Sequence, residues 1–245
     1  MTYRGLTPRL ELEAPQKEKH PHIPARKILD RIVLGGSDGT IEGLATTAAL
    51  NGAGVGFSTI AVAGLAFAVA GAISMFFSAY LSQRSERESV KIDAAREKME
   101  IETEPEEERS EMVELLKGEG YADEEVDVIM KRLTKDKALW LREMLRRELR
   151  INPEDTSSDQ LPGAAAAGVS FLLLALLAVS PYVFLAGRVD ALTASVTLSL
   201  LALFALGSRV FVPRNFRPLA GLESAGVGGL AGAALFLVGL LISSR

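Results

Sequence analysis

GLATTAALNGAGVGFSTIAVAGLAFAVAGAISMFFSAYLSQ, residues 43–83, is the stretch that decides the fold, because none of its residues is charged. As one helix it would be about 60 Å long, twice the thickness of the hydrocarbon core of a bilayer. The segment Asn51-Gly52-Ala53-Gly54 is a turn signal within its first third. We therefore predict the end of one membrane-spanning helix, a turn, and a second spanning helix.

Three more stretches lack charge, at 160–187, 191–208 and 224–244, and each is long enough to cross a bilayer. A soluble protein of this size would not segregate its charges so completely. The sequence predicts an all-α integral membrane bundle of five transmembrane helices, at 30–51, 57–83, 161–186, 190–208 and 220–243.

Residues 84–159 have the opposite composition, rich in Glu, Lys and Arg, with apolar residues at helical spacing. They predict a three-helix domain inserted between spans two and three, with helices at 84–117, 123–134 and 137–149. The predicted organisation is a mobile cytoplasmic arm, two transmembrane helices, this charged helical domain and three more transmembrane helices, over 1–29, 30–83, 84–159 and 160–245.

Positive charge near the span ends predicts the orientation, since cytoplasmic loops carry an excess of Lys and Arg. On the side of the arm and the charged domain these residues are Lys27, Arg31, Arg84, Arg209, Arg214 and Arg217, against Arg188 and Arg245 on the other side. The N-terminus and the domain are therefore predicted to be cytoplasmic. The arm also lacks the apolar segment of a secretory signal, and we expect a prokaryotic plasma membrane.

Small residues recur every four positions in two spans, a spacing that lets helix backbones approach closely in lipid. These ladders are Gly35, Gly39 and Gly43 in the first span and Gly221, Ala225, Gly229 and Ala233 in the last. Packing within one bundle and a dimer interface explain them equally well.

Two carboxylates lie inside the first span. Asp38 and Glu42 are four residues apart and share one helix face, where they favour a shared proton or a bound cation. Alternatively, the helix starts later and both lie at the membrane interface. Met75, in the second span, would add a soft sulfur ligand that favours a transition metal if it faces Asp38, although a single Met is ordinarily core filler.

Glutamates dominate one face of the first helix predicted in the charged domain. At 100° per residue, five of them fall within about 80° of one another, namely Glu97, Glu100, Glu104, Glu108 and Glu111. Met144 and Glu148 share a face of the third helix, and the two faces together would form a mixed oxygen and sulfur metal site. A solvated acidic face beside an ordinary packing Met explains the pattern equally well. His20 and His22 form a weaker candidate pair in the arm.

Several kinds of chemistry are excluded. The chain contains no cysteine, which rules out disulfides, thiolate metal sites and cysteine nucleophiles. It has no Gly-rich phosphate loop opening a helix, no His-rich zinc motif and no catalytic triad. We therefore expect neither an enzyme nor a protein that binds nucleic acid.

The chain resembles the vacuolar iron transporter family over residues 26–245. The resemblance rests on RIVLGGSDG at 31–39, GAISM at 71–75, Tyr80-Leu-Ser82, the stretch Glu102–Arg109, and WLREM at 140–144 followed by Glu148. It implies five spans with a cytoplasmic helical domain, and homodimers that exchange Fe2+ for protons. It also implies transport roles for Asp38 and Met75, and metal binding in the domain by Glu97, Glu100, Glu108, Glu111, Met144 and Glu148.

Three positions depart from the family pattern. The family usually has Gly-Glu before Tyr80-Leu-Ser82, where this chain has Ser78-Ala79, so a carboxylate is missing. Glu42 stands where the family has an apolar residue, and we hypothesise that it replaces that carboxylate. Leu145 stands where a second Met often follows the first.

The sequence is thus interpreted as a divalent transition-metal transporter of the lipid bilayer, exporting Fe2+ from the cytoplasm in exchange for protons. Mn2+, Co2+ and Zn2+ are the alternative ions, and we expect no permanently bound cofactor. The transport path would contain Asp38, Glu42 and Met75. The alternative is a membrane-anchored metal-binding or sensing protein without transport activity.

Overall fold

The computed structural model describes residues 25–151, 160–185, 188–210 and 216–244. All regular secondary structure in these ranges is α-helical, as predicted. The eight helices found there are α1 (Ala25–Gly52), α2 (Phe57–Thr103), α3 (Pro105–Gly118), α4 (Asp123–Leu133), α5 (Lys137–Arg147), α6 (Gln160–Phe184), α7 (Arg188–Ser208) and α8 (Pro218–Ser243).

Four of these helices, α2, α6, α7 and α8, are long and apolar enough to cross a bilayer. The chain is therefore a multi-pass membrane protein, and the charged helical region lies between α2 and α6 in sequence. α1 is less apolar, since Asp38 and Glu42 lie inside it, but it packs lengthwise against α6 and α8.

The first ladder of small residues brings α1 and α6 into backbone contact. A Cβ atom on Gly35 would overlap the carbonyl oxygen of Ala167, and one on Gly39 would overlap the backbone of Phe171. Only glycine allows two helices to approach this closely. Of the two explanations for this ladder, packing within one bundle is therefore the one observed.

α6 lies between α1 and α2. Gly43 of α1 faces Ala175 of α6, one turn beyond the contact between Gly39 and Phe171, so α1 and α6 run in the same direction. On the other side, Gly64 of α2 faces Val179 and Gly71 faces Phe171, so α2 runs in the opposite direction. α8 completes the bundle by packing against both α1 and α7.

α2 does not end at the predicted membrane boundary. It continues without interruption from Phe57 to Thr103, a length of about 70 Å. The predicted separate helix over 84–117 is therefore wrong: its first part belongs to α2, and its second part is α3. The helix breaks at Glu104 (φ −130°, ψ 49°), because the following Pro105 disfavours a helical residue before it.

The charged region has an apolar core of its own. α4 and α5 match their predicted positions to within two residues, and Asp136 caps α5 by accepting hydrogen bonds from the backbone N–H groups of Ala138 and Leu139, both at 3.1 Å. The core residues are Ile101, Met112, Leu116, Val126, Met130, Leu133, Trp140 and Met144. Because Ile101 belongs to α2, the membrane-spanning helix and the charged region are packed together.

Candidate metal centre

Three carboxylates from three different helices meet beside this core. Glu97 of α2, Glu108 of α3 and Glu148, which caps the end of α5, each place one oxygen within 4.8 Å of the other two. In one straight helix, Glu97 and Glu108 would be about 16 Å apart along the axis. The break at Glu104 is therefore what allows these two side chains to meet.

Two of the three carboxylates are buried. Glu97 is 1% exposed and Glu108 is 6% exposed, whereas Glu148 is open to solvent. Among the described residues, Glu97 Oε1 and Glu108 Oε2 have no hydrogen-bond partner. A buried carboxylate is stable only when it is neutral, paired or bound to a cation. The cluster therefore requires protons or a cation.

The pKa values of the three groups follow from this geometry. Burial, then the charges of Glu148, Glu108 and Glu100, raises the pKa of Glu97 to about 8. Burial also raises the pKa of Glu108 and of Glu148, each with a contribution from the charge of Glu111. The neighbouring Glu108 carboxylate contributes to the raised pKa of Glu97, which therefore holds a proton at neutral pH.

Each carboxylate lies one helical turn from an apolar core residue. The pairs are Glu97 with Ile101, Glu108 with Met112, and Glu148 with Met144. Met144 is fully buried in the core, and so is Met112, which was not among the site residues predicted from the sequence. Glu108 and Met112 are four residues apart, as are Met144 and Glu148. This shared spacing is the sequence pattern from which Met112 could have been predicted.

The five glutamates predicted on one helix face are not on one helix. Glu100 and Glu111 lie near the cluster, since the charges of both raise the pKa of Glu108 and of Glu148. Glu104 is exposed at the break, where it ends α2 and precedes α3. The prediction of a single acidic face was wrong because it assumed one continuous helix from residue 97 to residue 111, whereas the helix is interrupted before Pro105.

An open pocket of about 700 Å³ gives solvent access to the exposed member of the cluster. α3 contributes Glu111 and Glu114 to its walls, and the end of α5 contributes Arg146, Arg147 and Glu148. A hydrated cation can therefore reach Glu148 without any rearrangement of the helices.

The candidate residues in the membrane helices are arranged differently. Asp38 is partly buried and Glu42 is exposed, while Met75 packs against the apolar clusters between α2 and α6. Ala79, where the sequence lacks a carboxylate, is buried against Ala164 and Ala167 of α6. His20 and His22 lie outside the described residues.

A bundle of apolar helices with a charged region that gathers buried carboxylates defines a multi-pass membrane protein with a candidate cation site. The model of the VIT family matches residues 29–240, and the chain belongs to this family. The resemblance found in the sequence is thereby confirmed. The family is one of transporters and not of enzymes, as predicted.

Individual relatives match over nearly the whole chain. Vacuolar iron transporter 1 of Arabidopsis thaliana is 32% identical over 90% of this chain and 88% of its own length. Vacuolar iron transporter 1 of Tulipa gesneriana is 30% identical over 94% and 93%. The vacuolar iron transporter of Plasmodium falciparum is 28% identical over 89% and 83%.

Proposed function

We propose that this protein exports divalent transition-metal ions from the cytoplasm, Fe2+ foremost, by exchange with protons. The observation that carries the proposal is the cluster of Glu97, Glu108 and Glu148, in which two buried carboxylates need protons or a cation. The names of the relatives, vacuolar iron transporters, support iron as the ion. Mn2+, Co2+ and Zn2+ would compete for the same ligands.

In this proposal the charged region captures the ion in the cytoplasm and raises its concentration near the membrane. Carboxylate oxygens alone would suit Mg2+ or Ca2+, and a methionine sulfur would shift the preference toward a transition metal. Met144 lies one turn from Glu148 and is the candidate for that ligand. Glu100 and Glu111 would bind ions at the edge of the cluster.

We further propose that α1 is a fifth transmembrane helix. Its support is the lengthwise packing against α6, which is itself long and apolar enough to span the bilayer. A bundle of five spans puts the N-terminus and the charged region on one side of the membrane. The excess of Lys and Arg near the span ends on that side supports a cytoplasmic location.

The transport path would follow a face of α1 that the described part of the chain leaves uncovered. Leu34, Asp38 and Glu42 recur every four residues on this face, and none of them is buried. A charged side chain that faces lipid costs about 3 kcal/mol or more. A second copy of the chain would cover the face, which supports a homodimer with Asp38, Glu42 and Met75 along the path.

Proton exchange follows from the chemistry of these ligands. A carboxylate binds either a proton or a metal ion, so the arrival of one displaces the other. Asp38 and Glu42 would in this way couple the metal gradient to the proton gradient. Glu42 would take the role of the carboxylate missing at Ala79.

The test is ion flux in liposomes that contain the purified protein, with a chelating dye for Fe2+ and a second dye for pH. We expect Fe2+ and protons to move in opposite directions.

Asp38→Asn should lower both fluxes by orders of magnitude, since the ion loses its compensating charge. Asp30→Asn is the matched control, because Asp30 lies at the start of the same helix, 3.6 Å from Arg209, and should leave flux close to wild type. Wild-type flux in Asp38→Asn would contradict the proposed path.

A second candidate function is a membrane-anchored metal-binding or sensing protein without transport activity. The observation that favours it is Ala79, a small residue packed tightly against α6 where the family pattern has a carboxylate. The liposome assay separates the two functions. Metal binding that depends on Glu97, together with no flux of Fe2+ in the wild-type protein, would establish this alternative.

A further inference from the structure

Arg147 connects the end of α5 to the end of α3. Its side chain is only 18% exposed. Its Nε atom donates to Glu143 Oε2 at 3.0 Å, one turn back on α5, and its Nη1 atom donates to Glu119, which follows α3. The guanidinium also lies 6.0 Å from the centre of the Tyr121 ring, within the range of a cation–π interaction. One arginine thus holds three groups from two segments.

The loop after α3 is shaped to receive this arginine. Gly120 has a φ of +98°, which favours glycine, and the N–H of Tyr121 donates to the carbonyl of Leu116 at 3.2 Å. This helix-terminating turn puts Glu119 and Tyr121 on the two sides of Gly120, where both reach the guanidinium. A planar guanidinium can bind two carboxylates and stack on a ring at once, which a lysine cannot do.

Glu148 is the next residue along the chain and lies beyond Met144 and Leu145, the last buried residues of α5. It is exposed and caps the end of α5, a helix of 11 residues that would be only marginally stable alone. Glu108, its neighbour in the cluster, belongs to α3. Core packing of Met144 fixes α5 one turn earlier, and the distance between Glu108 and Glu148 then depends on how the last turn of α5 is fixed to α3.

We propose that Arg147 is a positioning residue of the carboxylate cluster: by tying α5 to Glu119 and Tyr121, it holds Glu148 beside Glu97 and Glu108. This inference rests on the proposed function, since it assumes that the cluster binds a metal ion. Arg147 itself does not touch the ion.

The sign of the effect distinguishes positioning from simple electrostatics. A positive charge close to a cation site weakens binding, so removing it would tighten binding if charge were its only contribution. A positioning role predicts the opposite, because Glu148 would no longer be held at the distance that three shared ligands require.

The experiment uses the full-length protein in detergent, with Co2+ as the probe and titration calorimetry as the measurement. Binding that is lost in Glu97→Gln is assigned to the cluster. Arg147→Gln should weaken this binding by roughly 10- to 100-fold, the usual effect of removing a residue that orients a metal ligand. Its visible absorption spectrum at saturating Co2+ should also differ from wild type, because the ligand geometry has changed.

Two further variants complete the design. Arg142→Gln removes the same charge on the same helix, at an exposed side chain that does not line the pocket beside Glu148 and forms no ion pair within the described part of the chain, and should leave affinity and spectrum unchanged. Arg147→Lys keeps the charge but not the planar fork, and should still weaken binding. The emission of Trp140, the one tryptophan of the chain and buried in the core, reports whether the region stays folded.

The outcomes separate the two proposals. Wild-type protein whose Co2+ binding does not depend on Glu97 would contradict the metal site itself. Glu97-dependent binding that is equal or tighter in both Arg147 variants would overturn the positioning role and leave the metal site intact. If Arg147→Gln fails to fold, Arg147→Lys decides the question alone.

Discussion

Glu97 and Glu108 each place a carboxylate oxygen within 4.8 Å of the other across the break in the helix at Glu104, although both were predicted on one continuous helix. Burial and the surrounding carboxylates raise the pKa of Glu97 to about 8, so a proton on Glu97 accompanies this close approach at neutral pH. The stability of the charged region should therefore depend on pH.

The direction of that dependence follows from proton linkage. Between the ordinary glutamate pKa of 4.5 and about 8, the folded state holds a proton on Glu97 that the unfolded state has released. The free energy of unfolding must then fall as pH rises through this interval. The raised pKa values of Glu108 and Glu148 act in the same direction. We expect Glu97→Gln to reduce this fall, when thermal unfolding is followed by the emission of Trp140 in metal-free buffer. Identical pH profiles for the two proteins would contradict the assignment.

Backbone contact between α1 and α6 should make Gly39 intolerant of any side chain. In Gly39→Ala the new Cβ would overlap the backbone of Phe171, and the strain should lower the free energy of unfolding by about 1–3 kcal/mol. Gly226→Ala is the matched control, because a Cβ there meets nothing within 4 Å. Denaturation in detergent, followed by circular dichroism, measures both. Equal stability of the two variants would show that the contact is looser than described.

The uncovered face of α1 should lie against a second copy of the chain. The absence of native cysteine makes single-cysteine crosslinking unambiguous. Leu34→Cys, at a position 46% exposed and one turn from Asp38, should form crosslinked dimers in membranes treated with a short bifunctional thiol reagent. Leu201→Cys on α7, at a position 61% exposed, should stay largely monomeric. The dimer proposed here would be wrong if both variants crosslinked to the same extent.

The orientation of the protein in the membrane can be measured with single-cysteine variants, because the chain contains no cysteine of its own. Ser110→Cys is exposed on α3 and should react with a membrane-impermeant maleimide only after cells are opened, because the charged region is proposed to be cytoplasmic. Gly56→Cys, exposed in the turn between α1 and α2, should react in intact cells. The reverse pattern of labelling would invert the topology.

The sequence by itself determined the membrane helices and the class of protein. A bilayer selects segments by length and apolarity, which are properties of consecutive residues, so uncharged stretches identify α2, α6, α7 and α8 without any knowledge of their neighbours. The pairing of a glutamate with a methionine one turn away is also local, and Met144 with Glu148 could be recognised from spacing alone.

Tertiary structure decided which of these residues meet. A helical wheel gives the directions of side chains around a single helix axis. It does not apply across Pro105, where α2 has ended and α3 begins along a different axis. Burial of Glu97 and Glu108, the approach of Glu148 and the hold of Arg147 on Glu119 all depend on packing among separate helices. The sequence also left open which helix packs against Gly35, Gly39 and Gly43. Small residues at this spacing show that another helix can approach closely, but only the packing shows that this helix is α6.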